Sequence, residues 1–240
     1  MNGVPRNEGY VSNELTHFVG RKAATDDDRF SLLCKILRSG ELRGGGVSST
    51  GQGNIRLDFS HPLASNDLVA PETVCFCDIP LKYLSIHMGK YSRFGLAFTK
   101  VFMRTKGCNP VYYISMHSPC TDHRYPDDDA RRKVKWGDFF DRAFREWYKD
   151  LPRTGDRIDP GKLRRIDNLI LWYVLGHVKF FDSVLKKDDE KNYYMEREWR
   201  IVGSMCFNLA DVARVIVPTD YAARFQAELP DFAEDRIRRV

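Results

Sequence analysis

The eleven residues from Tyr193 to Gly203, Tyr-Tyr-Met-Glu-Arg-Glu-Trp-Arg-Ile-Val-Gly, restrict the fold more than any other stretch. An acidic, lysine-rich turn from Lys186 to Lys191 precedes them and a glycine closes them, so they read as one strand. Alternation along a strand would put Glu196, Glu198 and Arg200 on one face, with Met195, Arg197, Trp199 and Ile201 on the other. Carboxylates two residues apart on a strand lie roughly 7 Å apart. Each raises the other's pKa unless a cation intervenes. Such a pair can hold a ribose hydroxyl with one carboxylate and polarise a nucleophile with the other. The same letters also read as an edge strand whose glutamates and arginines form solvated ion pairs of little energetic value.

A chain of 240 residues buries a substantial core, as one large domain or two small ones. Charged residues at 30% and hydrophobic residues at 42% exclude a disordered chain. The net charge of +5 tilts towards anionic partners, nucleic acid or a phosphorylated small molecule. No signal peptide and no apolar run near 18 residues is present, so no membrane span is expected. The six scattered cysteines are then expected to be reduced thiols in a cytoplasm.

Taken in order, residues 10–21 read as a strand carrying His17. Asp26-Asp27-Asp28 introduces a helix from about Arg29 to Ser39, with Phe30, Leu33, Ile36 and Leu37 inward and Gly40 as its stop. Gly44-Gly45-Gly46 opens a loop to Gly53 that lacks the signature of a phosphate-binding loop. Strands are expected at 74–77, 94–98, 111–116 and 212–217, and short helices at 81–91 and 221–229. Asp127 to Lys149 reads as a basic, aromatic helix, and Lys162 to Leu185 as the strongest helix of all.

Cys75-x-Cys77 with His87 supplies too few donors for zinc, and no metal is expected. The Arg131, Arg132, Lys133, Lys135 and Trp136 run could follow a nucleic-acid backbone with Arg131, Arg132 and Lys135, or be a solvated helix face. His177 sits on the apolar face of the predicted long helix, where a core histidine is the simpler account. An early-strand histidine, a central tyrosine and a late-strand glutamate also suit a nicotinamide dinucleotide. In that arrangement His17 would hold the adenosine-side ribose, and a carboxylate would face the oxocarbenium-like centre as nicotinamide leaves.

Three blocks carry a family resemblance: residues 10–21, Cys75-Phe76-Cys77-Asp78-Ile79-Pro80-Leu81 continuing to Gly95, and Asn192 to Arg200. Together they resemble the AbiGi proteins of bacterial phage defence. The resemblance implies an antitoxin half of a two-gene abortive-infection system, with a partner toxin protein. A more distant resemblance, through His17, Ile36-Leu37-x-x-Gly40 and a late glutamate, runs to toxins that ADP-ribosylate DNA. It implies NAD as cofactor, Glu198 with Glu196 as catalytic carboxylates, Tyr83 or Tyr91 as the stacking ring, and Arg21 or Arg43 near the pyrophosphate. The expectation is a single α+β domain over residues 1–240. Its core would be a split, two-sheet ADP-ribosyltransferase-like one, with a helical insertion over about 119–187. The functional expectation is an ADP-ribosyltransferase-like NAD cleft acting on nucleic acid, or a non-catalytic protein that restrains a toxin.

Overall fold

The helix announced by the acidic triplet forms over Asp26–Ser39, starting three residues earlier than the apolar spacing suggests. Thr25 is its N-cap, and the Thr25 and Asp28 side chains bond each other's backbone N–H groups as a capping box. Gly40 ends the helix in the left-handed region at φ 62°, its N–H bonded to the Ile36 carbonyl. A Cβ there would lie 2.4 Å from the Phe207 carbonyl oxygen, so both conformation and space require glycine. Phe30, Leu33, Cys34 and Leu37 are buried.

The computed structural model describes residues 12–44, 55–155, 157–186, 189 and 192–240. It is a mixed α+β structure that divides into two compact units. The first comprises Met1–Gly44, Val74–Asn109 and Glu196–Val240; the second comprises Gly45–Thr73 and Pro110–Met195. The insertion expected over 119–187 lies inside the second unit, which also contains strands and begins earlier in the chain. Most of the predicted glycine loop, 45–53, falls outside the described residues, as does the start of the predicted first strand.

The first unit is built on a seven-stranded sheet. Its strand order is Ile237–Arg239, Val212–Val217, Gly95–Thr99, Glu14–Phe18, Thr73–Cys77, Glu198–Val202 and the two-residue Asn109–Pro110. The central Glu14–Phe18 strand runs antiparallel to both neighbours, with His17 opposite Leu96 and Thr16 opposite Cys77. Gly95 is required at this crossing, because a Cβ would meet the His17 carbonyl oxygen at 2.9 Å. One face of the sheet packs Leu15, Phe76, Leu96, Phe98 and Val215 against the Asp26–Ser39 helix. The other face carries Cys77, Ile216 and Phe18 against Leu84 and Met88 of the segment containing the Ser85–Lys90 helix.

In the second unit Phe144, Leu171, Leu175 and Phe180 form a separate core. Two expected helices are redrawn here. The basic stretch forms a short 3-10 turn over Ala130–Arg132 and a strand over Lys133–Lys135, and only then the Trp136–Lys149 helix. The long helix expected over 162–185 is a short α-helix, Arg165–Asn168, followed by a π-helix, Leu169–Val174. The chain then passes Gly176 and becomes a strand, Val178–Phe181, paired in parallel with Tyr112–Ser115. A β-branched and aromatic run fits a strand as well as a helix stripe, and the pairing partner decides between them.

Candidate functional site

The stretch read as one strand from Tyr193 to Gly203 is two elements. Tyr193–Glu196 is a 3-10 turn, Arg197 sits at φ 45°, and the strand covers only Glu198–Val202. The left-handed Arg197 breaks the alternation, so Glu196 and Glu198 are not neighbours along one extended segment. The Arg197 carbonyl accepts from the Asp78 N–H at 3.2 Å, and its guanidinium lies 3.6 Å from the Asp78 carboxylate, which ties the turn in place.

Both glutamates are buried, and each meets cationic or hydroxyl partners from its own unit. Glu196 accepts from the Lys90 ammonium at 2.8 Å and from the Tyr91 hydroxyl. Glu198 accepts from Arg200 Nε at 2.6 Å, and the side chains of this pair are only 12% and 5% exposed. Beside them Asp78 accepts from Lys100 Nζ at 2.7 Å and from the Ser12 N–H at 3.1 Å. Burial, then the neighbouring Glu196 carboxylate, pushes the Tyr91 phenol well above its ordinary value, so Tyr91 remains a donor. The Tyr91 ring stacks with Phe18 at 6.0 Å, and the Arg21 guanidinium lies 5.0 Å from its centroid.

Pairing and alternation fix the faces. His17 shares a face with its partner Leu96 and lies 5.6 Å from the Phe76 ring, on the side of the Asp26–Ser39 helix. Trp199 and Ile201 pack into that same core, so Glu198 and Arg200 point to the opposite face. Glu198 joins Tyr91 there, close enough to raise its pKa further. His17 hydrogen-bonds the Cys75 carbonyl through Nδ1 at 2.8 Å. Burial holds its imidazole below the ordinary histidine value, and the Cys75 carbonyl offsets this only in part.

Of the residues singled out in sequence, the structure therefore gathers Arg21, Tyr91, Glu196 and Glu198 on one face and leaves His17 on the other. Tyr83 is exposed, with the Lys82 ammonium 5.2 Å from its ring, and Arg43 is an exposed partner of Glu41 at 2.9 Å. Lys90 and Lys100, which neutralise buried carboxylates, escaped sequence reasoning. The one available signal was Lys90 standing directly before Tyr91 in the stretch from Cys75 to Gly95. Among the described residues no group of three His, Cys, Asp or Glu side chains converges as a metal site.

In the second unit Arg131 is clamped by Asp129, with guanidinium contacts between 2.7 and 3.1 Å. Arg132 meets Asp127 at 2.5 Å and the Tyr125 carbonyl at 3.1 Å. Lys135 is exposed at the end of its strand.

Residues 67–228 match the model of a family described as "Putative abortive phage resistance protein AbiGi, antitoxin". The chain belongs to the AbiGi family. The matched region contains Tyr91, Glu196, Glu198 and the basic Lys133–Lys135 strand, while His17, Arg21 and Arg43 precede it. The abortive phage resistance protein AbiGi of Lactococcus lactis subsp. cremoris is 28% identical over 142 aligned residues, covering 53% of this chain and 49% of that protein. The chain thus spans about half the length of this AbiGi relative. No solved structure matches it. Among the described residues no helix is long and apolar enough to cross a membrane.

Proposed function

We propose that this AbiGi-family protein is a phage-defence component of the antitoxin type, which restrains a partner toxin protein by contact rather than by catalysis. The observation that carries this reading is the state of the two candidate carboxylates. Glu196 and Glu198 are buried against Lys90, Tyr91 and Arg200, inside the protein's own ion pairs. Pairing of this kind fixes a carboxylate's orientation, and a substrate hydroxyl would have to displace a bound donor to reach it. The family description, which names an antitoxin, supports the same reading.

A second reading is an ADP-ribosyltransferase-like NAD cleft that modifies nucleic acid. It draws support from the gathering of Arg21, Tyr91 and both glutamates on one sheet face. It must do without His17 at that site, since the half-buried His17 lies on the opposite face of the sheet.

Glu198→Gln separates the two. Gln keeps the shape and one acceptor for Arg200 but removes the charge. Restraint by contact predicts that cells carrying the partner toxin are still rescued by this variant, and that calorimetry of the wild type with NAD shows no heat. Loss of an NAD-consuming activity on the same substitution, with the fold retained, would overturn the restraint reading.

A further inference from the structure

The second unit carries positive charge that the restraint reading does not use. Lys133 and Lys135 lie on a two-stranded antiparallel ribbon with Pro119–Thr121, Lys133 opposite Thr121 and Lys135 opposite Pro119. Two residues apart on one strand, they present their ammonium groups to the same side. Both are exposed, and among the described residues neither has a carboxylate partner. This contrasts with Arg131 and Arg132 immediately before them, each already taken by an aspartate. Lys133, Lys135, Arg142 and His117 border an open hollow of about 630 Å³. Asp138 is the one carboxylate at its edge. Arg142 reaches the Asp138 carbonyl at 3.4 Å and lies near the buried Asp122, which Arg124 already holds at 2.9 Å. Trp136 follows Lys135 directly, outside the residues that line the hollow; its ring packs against Phe139 and Phe140, with centroids 6.2 and 5.4 Å away, and still remains 37% exposed.

We infer that this hollow binds the phosphodiester backbone of a single nucleic-acid strand, with Lys133, Lys135 and Arg142 on successive phosphates and Trp136 offering a ring face to a base. The openness of the hollow argues against a small phosphorylated ligand, which needs enclosure on most sides to be held. Two cations in series along the ribbon, with a third, Arg142, from the Trp136–Lys149 helix on the same hollow, suit a polymer of repeated charge. A duplex would hide its base faces from Trp136, whereas a single strand offers them.

The test is fluorescence anisotropy of the full chain with a short fluorescein-labelled oligothymidylate across a salt series. Wild type is expected to bind at low salt and to weaken steeply as salt rises. Lys133→Gln with Lys135→Gln and Arg142→Gln should lower affinity at least about tenfold and flatten the log–log salt slope by about 2, three contacts at roughly 0.7 each. Trp136→Leu should weaken binding and leave the salt slope unchanged. Arg131→Gln with Arg132→Gln should stay within about twofold of wild type. Circular dichroism and melting temperature check that each variant is folded. Wild-type affinity in the folded triple variant, or no binding by wild type at low salt, overturns the inference. So does competition by polyglutamate as effective as that by the oligonucleotide, which would mark a surface for an acidic protein segment.

Discussion

The Tyr91 hydroxyl donates to the Glu196 carboxylate, and through that bond the segment after the Ser85–Lys90 helix is joined to the turn that leads into the Glu198–Val202 strand. Lys90, the adjacent residue, brings its ammonium to the same carboxylate oxygen. One buried acid thus gathers two donors from a segment about a hundred positions away in sequence, which explains why no local pattern announces it.

Removing a donor from Glu196 is therefore expected to cost far more than removing a partner from a surface pair. Lys90→Met should destabilise the protein by about 3 kcal/mol or more, because a buried carboxylate loses a cation held at 2.8 Å. Tyr91→Phe should cost about 1.5–3 kcal/mol, the range for a hydrogen bond to a charged group. Arg43→Met, which takes an exposed guanidinium from the half-buried Glu41, should cost under about 1 kcal/mol. Urea unfolding of the three variants gives the order directly, and equal costs would contradict a closed cluster.

His17 should titrate below 6.5, the ordinary histidine value, because burial disfavours its charged form. The sign follows from linkage: the unfolded chain takes up the proton first as pH falls. The contribution of His17 to stability is thus complete above 6.5 and declines on acidification through the window between 6.5 and its folded-state midpoint. Two-dimensional NMR of the imidazole, assigned with His17→Gln, measures that midpoint. A value at or above 6.5 would remove the burial argument.

Gly40→Ala and Thr25→Ala test the two ends of the Asp26–Ser39 helix. The alanine at position 40 would have to adopt φ 62° with its Cβ 2.4 Å from the Phe207 oxygen. Backbone strain alone is about 1–2 kcal/mol, and the contact adds to it. Thr25→Ala removes the cap for about 1 kcal/mol. Thermal melts should rank Gly40→Ala as the more damaging change.

Cysteine reactivity should follow burial. The Cys77 and Cys108 thiols are pushed up to about 12 by burial, whereas Cys75 and Cys206 are exposed. Brief iodoacetamide treatment of the native protein at pH 8, read by mass spectrometry, should label Cys206 and Cys75 and spare the other two. Early labelling of Cys77 would mean that its sheet face opens readily.

Local chemistry was legible wherever a segment decides its own conformation. The acidic triplet, the apolar spacing from Phe30 to Leu37 and the closing glycine announced one helix, and the apolar runs at 94–98 and 212–217 announced two strands of the central sheet. Where the deciding partner is distant, the same reasoning failed. Nothing near Val178–Phe181 reveals that Tyr112–Ser115 lies beside it, so its apolar residues extended a helix that is not there. Nothing near Glu196 reveals Lys90 and Tyr91, so the alternating pattern gives no sign of the left-handed Arg197 that interrupts it.

By itself the sequence determined the α+β character, the capped first helix, most central strands and the family, because propensity, capping and quoted blocks are properties of neighbouring residues. Tertiary structure alone decided which carboxylates are closed by cations, which face each side chain takes, and that His17 and Glu198 look in opposite directions. Those outcomes depend on strand pairing and on burial of charge against partners distant in the chain. Both are set by the free energy of the whole packed unit, not by any one segment.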